Sequence, residues 1–100
     1  MVVRADLPPG LQIAQAIHAA RQFAEVYRSE ERAWYRRSNT VAVLAVSNER
    51  ALDRLAGRAE REGISCVVFR EPDLGKAGTA LSLGSAGKKL CRGLPLALKG

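Results

Sequence analysis

Gln15, His18 and Gln22 are the residues of this chain best suited to chemistry. His18 is the only histidine, and an imidazole gives and takes protons near neutral pH. Residues three or four apart share a helix face. The three side chains therefore form one polar stripe within PPGLQIAQAIHAARQ, a segment otherwise small and apolar. A polar stripe on a helix composed for burial implies a functional surface at the edge of a sheet. Proton transfer and hydrogen bonding to a polar substrate are what it offers. The two cysteines, Cys66 and Cys91, offer less. They lack a flanking nucleophile signature. With one histidine they also fall short of the about four ligands a structural zinc needs. They read as reduced thiols, Cys66 buried in a strand, and neither a metal nor another cofactor is expected.

The elements that must position the stripe follow from the hydrophobic pattern. Met1 to Arg4 carries the β-branched pair Val2 and Val3 and reads as a strand. Pro8-Pro9-Gly10 breaks it. Leu11 to about Glu31 reads as one long helix, with Ile13, Ile17, Ala20, Ala24 and Tyr27 facing inward, Phe23 beside them, and Arg21, Glu25 and Arg28 facing solvent. Alanines at 14, 16, 19, 20 and 24 allow it to lie close to a sheet. Thr40 to Ser47, nearly all apolar, suits a buried central strand. Asn48 is placed to cap a helix whose inner stripe is Leu52, Leu55 and Ala59, and Gly63 to end it. Ile64 to Arg70 is a third strand, Glu71 to Gly78 a loop, Thr79 to Leu83 a fourth strand. The remainder holds at most one short helix.

The order is β-α-β-α-β-β. Two helical crossovers imply parallel neighbours, and the short last connection makes the fourth strand antiparallel to the third. The expected fold is α/β, a small mixed four-stranded sheet with helices packed against it. One hundred residues suit a single domain over positions 1–100, with no repeat and no linker. No segment approaches ~18 continuous apolar residues, and MVVRADL has no secretory pattern. A cytoplasmic protein without a membrane segment is expected. A homodimer is compatible with an apolar sheet face or with the tail Leu94–Leu98, which equally suits a closing strand packed on the core.

The net charge is +6, and no acid follows Asp73, while Lys76, Lys88, Lys89, Arg92 and Lys99 do. A second basic cluster, Arg28, Arg32, Arg36 and Arg37, flanks Trp34-Tyr35 and is diluted by Glu30 and Glu31. Gathered basic residues point to a polyanion, nucleic acid above all. A solvated surface would show the same charges.

Val2, Val3, Arg4, Asp6, Leu7, Gly10, Ala14, Gln15, His18, Ala19 and Ala20 together resemble the opening of the type-II peptidyl-tRNA hydrolases. The strand Val41 to Val46, the helix ending before Gly63, and Thr79, Leu81 and Gly84 resemble later family elements in the same order. The family lysine one step after the glycine is Leu11 here, and the loop EPDLGKAG is shorter than the family's. Both features resemble a divergent branch that lacks the lysine and has an acid-proline pair in this loop.

The resemblance implies hydrolysis of the ester between a peptide and the terminal ribose of tRNA. His18 would act as base or orient the water. Glu71, which directly follows Arg70, or Asp73 would hold the imidazole or the water. Thr79 would donate its hydroxyl to the reacting centre. Gln15 and Gln22 would contact ribose hydroxyls or merely face water, Lys76, by its place in the same loop, would replace the missing lysine, and Lys88, Lys89 and Arg92 would contact tRNA phosphates. Trp34 and Tyr35 would stack on an exposed base or simply close a helix. A non-catalytic tRNA-binding module on the same scaffold, and a protein-interaction domain in which the charge is incidental, are the other readings.

Overall fold

Val2 and Val3, both β-branched and fully buried, sit mid-sheet in the computed structural model, which describes residues 1–99. They belong to β1 (Val2–Arg4), followed by α1 (Pro9–Val26), α2 (Arg28–Arg37), β2 (Leu44–Val46), α3 (Glu49–Arg61), β3 (Cys66–Glu71) and β4 (Ala77–Leu83). Two 3₁₀ segments, Pro72–Leu74 and Ser85–Cys91, complete the order. The sheet order is β2-β1-β4-β3. β1 and β2 are parallel, while β4 is antiparallel to both β1 and β3. This is the expected mixed α/β sheet. Only the first crossover joins neighbours, however: the chain from β2 through α3 to β3 passes over β1 and β4.

Alternate strand residues feed two different cores. Val2, Val46 and Leu81 join Leu52, Leu55, Ala59, Ile64 and Leu90 beneath α3. Val3 and Ala80 meet Ala16 and Ala19 of α1 on the opposite face. Removing a leucine such as Leu52 from water contributes roughly 1.5–3 kcal/mol, so the α3 face supplies most of the hydrophobic stabilisation. The α1 face is made of small residues and lets the helix lie close to the strands. α3 begins at Asn48, whose side chain accepts the Ala51 N–H at 3.0 Å. It ends at Gly63, left-handed at φ 68°, as that glycine's place predicts.

Three expectations need correction. The long helix is two helices, broken at Tyr27 (φ −117°, ψ 59°). The inner stripe of α1 is Gln12, Gln15, Ala16, Ala19 and Phe23, while Ile13 and Ile17 are 52% and 53% exposed. Hydrophobicity selected the wrong face because the true inward face, Phe23 apart, is small and polar. The apolar run at 40–47 is an edge strand only three residues long. Its apolarity reflects cover on both faces over Leu44–Val46, with Val41 exposed. The tail protects that edge. Ala45 N–H donates to Pro95 O at 2.9 Å, Ala97 N–H to Val43 O at 2.8 Å, and Leu96 pairs opposite Leu44. Covering an edge in this way blocks unwanted strand pairing.

The face assignment predicts opposite outcomes for two substitutions. Ile17→Ser should change stability by less than about 0.5 kcal/mol, as for surface sites. Ala19→Leu, at a position with no exposure, should cost about 1–3 kcal/mol by overpacking α1 against the sheet. Urea midpoints of the two variants measure the contrast.

Candidate active site

The register between β3 and β4 slips within the site. Phe69 pairs with Ala80, but Arg70 pairs with Gly78, leaving Thr79 as an extra residue on β4. Strict alternation from Ala80, which faces α1, would turn Thr79 toward α3. The bulge instead puts Thr79 and Ala80 on the α1 face together, re-aiming a side chain as bulges do. Position 78 accordingly faces α3, where an added Cβ would lie 3.2 Å from Val68 Cγ1.

Both backbone groups of Gly78 are held from the α3 side. Its N–H donates to Glu49 Oε2 at 2.8 Å, and its carbonyl accepts from Arg4 Nη1 at 3.0 Å. Arg4 is itself fixed by a two-pronged pair with Asp6, at 3.0 and 2.9 Å. That pair holds the Asp6 carboxyl below its ordinary pKa. Arg4 and Glu49 thus anchor the residue that precedes the bulge. The sequence pattern places Gly78 in a loop and begins the strand at Thr79, whereas β4 starts at Ala77 and takes Gly78 in.

On the α1 face three side chains form a directed chain. Gln15 Nε2 donates to Glu71 Oε1 at 3.0 Å, and Gln15 Oε1 accepts from Thr79 Oγ1 at 2.5 Å. A carboxylate only accepts, so Glu71 dictates which end of the amide faces it. The amide oxygen is left for the single hydroxyl proton of Thr79. A contact from Thr79 Oγ1 to Phe69 O at 3.3 Å competes only weakly for that proton. Gln15 and Thr79 are 1% and 0% exposed. They lie beneath the surface, at odds with a ribose contact by Gln15 or hydroxyl donation to substrate by Thr79.

Two groups reach the surface above this chain. His18 is exposed and stacks on the Phe69 ring, centroids 4.7 Å apart at 17°. Phe69 is a platform that the sequence did not single out, since it reads as an ordinary strand aromatic. Glu71 closes β3 rather than lying in a loop. Its second oxygen accepts the Asp73 N–H at 3.2 Å. The Asp73 side chain itself is exposed and outside the network. Gln22 is also exposed, one turn beyond His18. Lys76 occupies the β3–β4 turn at φ 64°, its N–H donating to Glu71 O at 2.9 Å. Leu11 is half-buried in the first turn of α1.

The remaining basic candidates are elsewhere. Lys88, Lys89 and Arg92 lie in or just after the 3₁₀ segment at the other end of β4. Thr79 lies four residues, about 13 Å of strand, from that end. Lys89 is paired with Glu62 at 3.1 Å. Trp34 donates its indole N–H to Thr40 O at 3.1 Å and closes α2 locally. Cys66 is half-buried rather than buried, and burial pushes its thiol up to about 11, which removes thiolate chemistry near neutral pH. No helix among the described residues is long and apolar enough to cross a membrane.

The Gln15 amide, then the Asp73 N–H, then His18 hold the Glu71 carboxyl below its ordinary pKa. Because the folded pKa is depressed, ionised Glu71 stabilises the fold above its unfolded value of about 4.3. That contribution disappears as pH falls through the lower folded value. Glu71→Gln should therefore melt below the parent at pH 7, with the gap closing below about pH 4. Thermal melts across pH check this. Thr79→Val, which leaves a buried amide oxygen without its donor, should cost about 1–3 kcal/mol at every pH.

Peptidyl-tRNA hydrolase PTH2 is the family whose model matches this chain, over residues 1–94. No curated protein matches it. The matched span takes in every strand and helix described above, the Glu71–Gln15–Thr79 chain and His18. The chain belongs to the peptidyl-tRNA hydrolase PTH2 family.

Proposed function

We propose that this chain hydrolyses the ester linking a peptide, or an N-blocked amino acid, to the terminal ribose of tRNA, acting in the cytoplasm. The observation that carries the reading is an exposed His18 stacked on Phe69 of β3, the strand that ends at Glu71, whose carboxylate is held by buried Gln15. An exposed imidazole is suited to general-base work on a bound water. His18 removes a proton from a bound water, and the water oxygen attacks the ester carbonyl carbon. The tetrahedral oxyanion then collapses, breaking the bond to the ribose oxygen. The imidazolium returns its proton to that oxygen. One water is consumed, and a peptide with a free carboxyl end and a deacylated tRNA are released.

Thr79 and Gln15 are positioning residues in this scheme, because neither reaches the surface. Leu11 brings no charge to the place of the family lysine. Lys76, two residues after Leu74 in the turn beside Glu71, is the cation we assign to the oxyanion or the last phosphate. A second reading is favoured by Leu11 itself: a tRNA-binding module that has kept the scaffold without the reaction.

Release of free tRNA from an N-acetylated aminoacyl-tRNA decides between the two. Turnover should appear with the parent and fall by about 10²–10⁴ in His18→Ala, the usual worth of a general base. Lys76→Ala should retain measurable turnover at a reduced rate. No turnover by the parent, with tRNA retained at low salt, would establish the binding module instead.

A further inference from the structure

α2 poses a physical problem that the proposed site does not answer. It buries no side chain. A helix that buries so little apolar surface has little reason to exist as a packed element. Its arginines Arg28, Arg32 and Arg36 recur every four residues, placing like charges one above another on one face. Such pairs destabilise a helix by a few tenths of a kcal/mol each. All three are exposed and, with Ser29 and Ala33, line a shallow groove of about 310 Å³. Exposed Tyr35 adjoins the same face.

The acids that dilute this cluster in sequence do not all share its surface. Glu30 turns inward, its Oε1 accepting from Ser65 Oγ at 2.6 Å. Its other oxygen fills the space over Gly84, 1.8 Å from where a Cβ would stand. Glu31 is half-buried on the flank. Arg28 shares an ion pair with Glu25, both ends mostly exposed and so worth little. Among the described residues Arg32, Arg36 and Arg37 have no carboxylate within ion-pair distance. The Glu30–Gly84 contact also brings α2 against the start of the segment bearing exposed Lys88. Four helical residues rise about 6 Å, a step on the scale of neighbouring phosphates along a nucleic-acid strand.

We infer that the outer face of α2 is a phosphate-backbone site for RNA, with Arg28, Arg32 and Arg36 each taking one phosphate. It deepens the tRNA reading and rests on it only for which RNA is bound. Arg28 opens α2 after about 16 Å of α1 beyond Gln15, so the contact falls on the body of the RNA and not on its esterified end. No base is read, since backbone contacts position without specifying sequence.

The test measures tRNA affinity against salt for the intact protein and two triple variants. Arg28→Gln/Arg32→Gln/Arg36→Gln empties the α2 face. Arg50→Gln/Arg54→Gln/Arg58→Gln removes equal charge from the solvent face of α3. Glutamine matches arginine in helix propensity, and circular dichroism confirms that both variants fold. Each phosphate contact contributes about 0.7–0.9 to the log–log salt slope. The α2 variant should lose about 2–3 units of slope and bind at least roughly tenfold more weakly near 50 mM salt. The α3 variant should keep its slope within about one unit. Equal losses in both variants would mean diffuse attraction and overturn the site, as would an unchanged α2 variant. Preferential retention on phosphatidylserine vesicles over tRNA at equal salt would also overturn it. A parent that binds tRNA without turning over ester would end the hydrolase reading and leave this comparison decisive.

Discussion

A primary amide buried between a helix and a sheet must satisfy both its ends, and Gln15 does so with one carboxylate and one hydroxyl. The remaining features of the site follow from this constraint. The partners must come from different strands at one depth, which β3 and β4 supply with Glu71 and Thr79. The helix must approach closely enough for a glutamine to span the gap, which Ala16 and Ala19 allow. The anion is the member that gives the chain its direction, because it alone cannot donate. Neutralising Glu71 would free the amide to turn over and would release the Thr79 proton. Ionisation of one rim residue thus sets the orientation of two groups beneath it, and a depressed pKa is the same coupling seen from the carboxylate.

That coupling extends through the sheet. Thr79 faces α1 only because β4 has one residue more than its partner at this point. An extra residue leaves ladder groups without strand partners, and buried backbone groups need partners. Arg4 and Glu49 provide them for Gly78. They belong to different elements, one at the end of β1 and the other opening α3, and both lie opposite the site. Asp6 completes the arrangement by fixing Arg4. The VVRAD run therefore does more than build an edge of the core: its arginine supports a bend whose result appears on the other face.

The sheet, its helices and the antiparallel last strand were legible in the sequence because β-branched runs, caps and breakers act locally. Asn48 and Gly63 mark the ends of α3 through interactions within a few residues. What was not legible depends on partners distant in sequence. Gln15 read as part of a functional surface, since nothing nearby in the chain announces Glu71 or Thr79 as its partners. Ile13 and Ile17 then won the inward face by default. The edge position of β2 was hidden for the same reason: an apolar run reports cover on both faces, and here the tail provides part of it. Of the two loop acids, Glu71 joins the network and Asp73 does not, a distinction set by strand register and invisible to spacing alone.

The placement of charge bears on how a site with a fixed carboxylate tolerates a polyanionic substrate. Glu71 and Asp73 repel phosphates at one end of the sheet, while the arginines of α2 and Lys88 lie at the other. About 20 Å separates the ends along β4, more than twice the ~8 Å screening length at physiological salt. The two regions therefore act almost independently, and neither cancels the other. The bond that the proposed reaction would break suits this division. In the proposed reaction the ester on the terminal ribose is uncharged and lies beyond the last phosphate of the chain, so the reacting end is the part of the substrate that approaches an anion at the least electrostatic cost. Under the two proposals grip and chemistry sit where their charge requirements are opposite, and the sheet that separates them also holds Thr79, Gln15 and Glu71 in register.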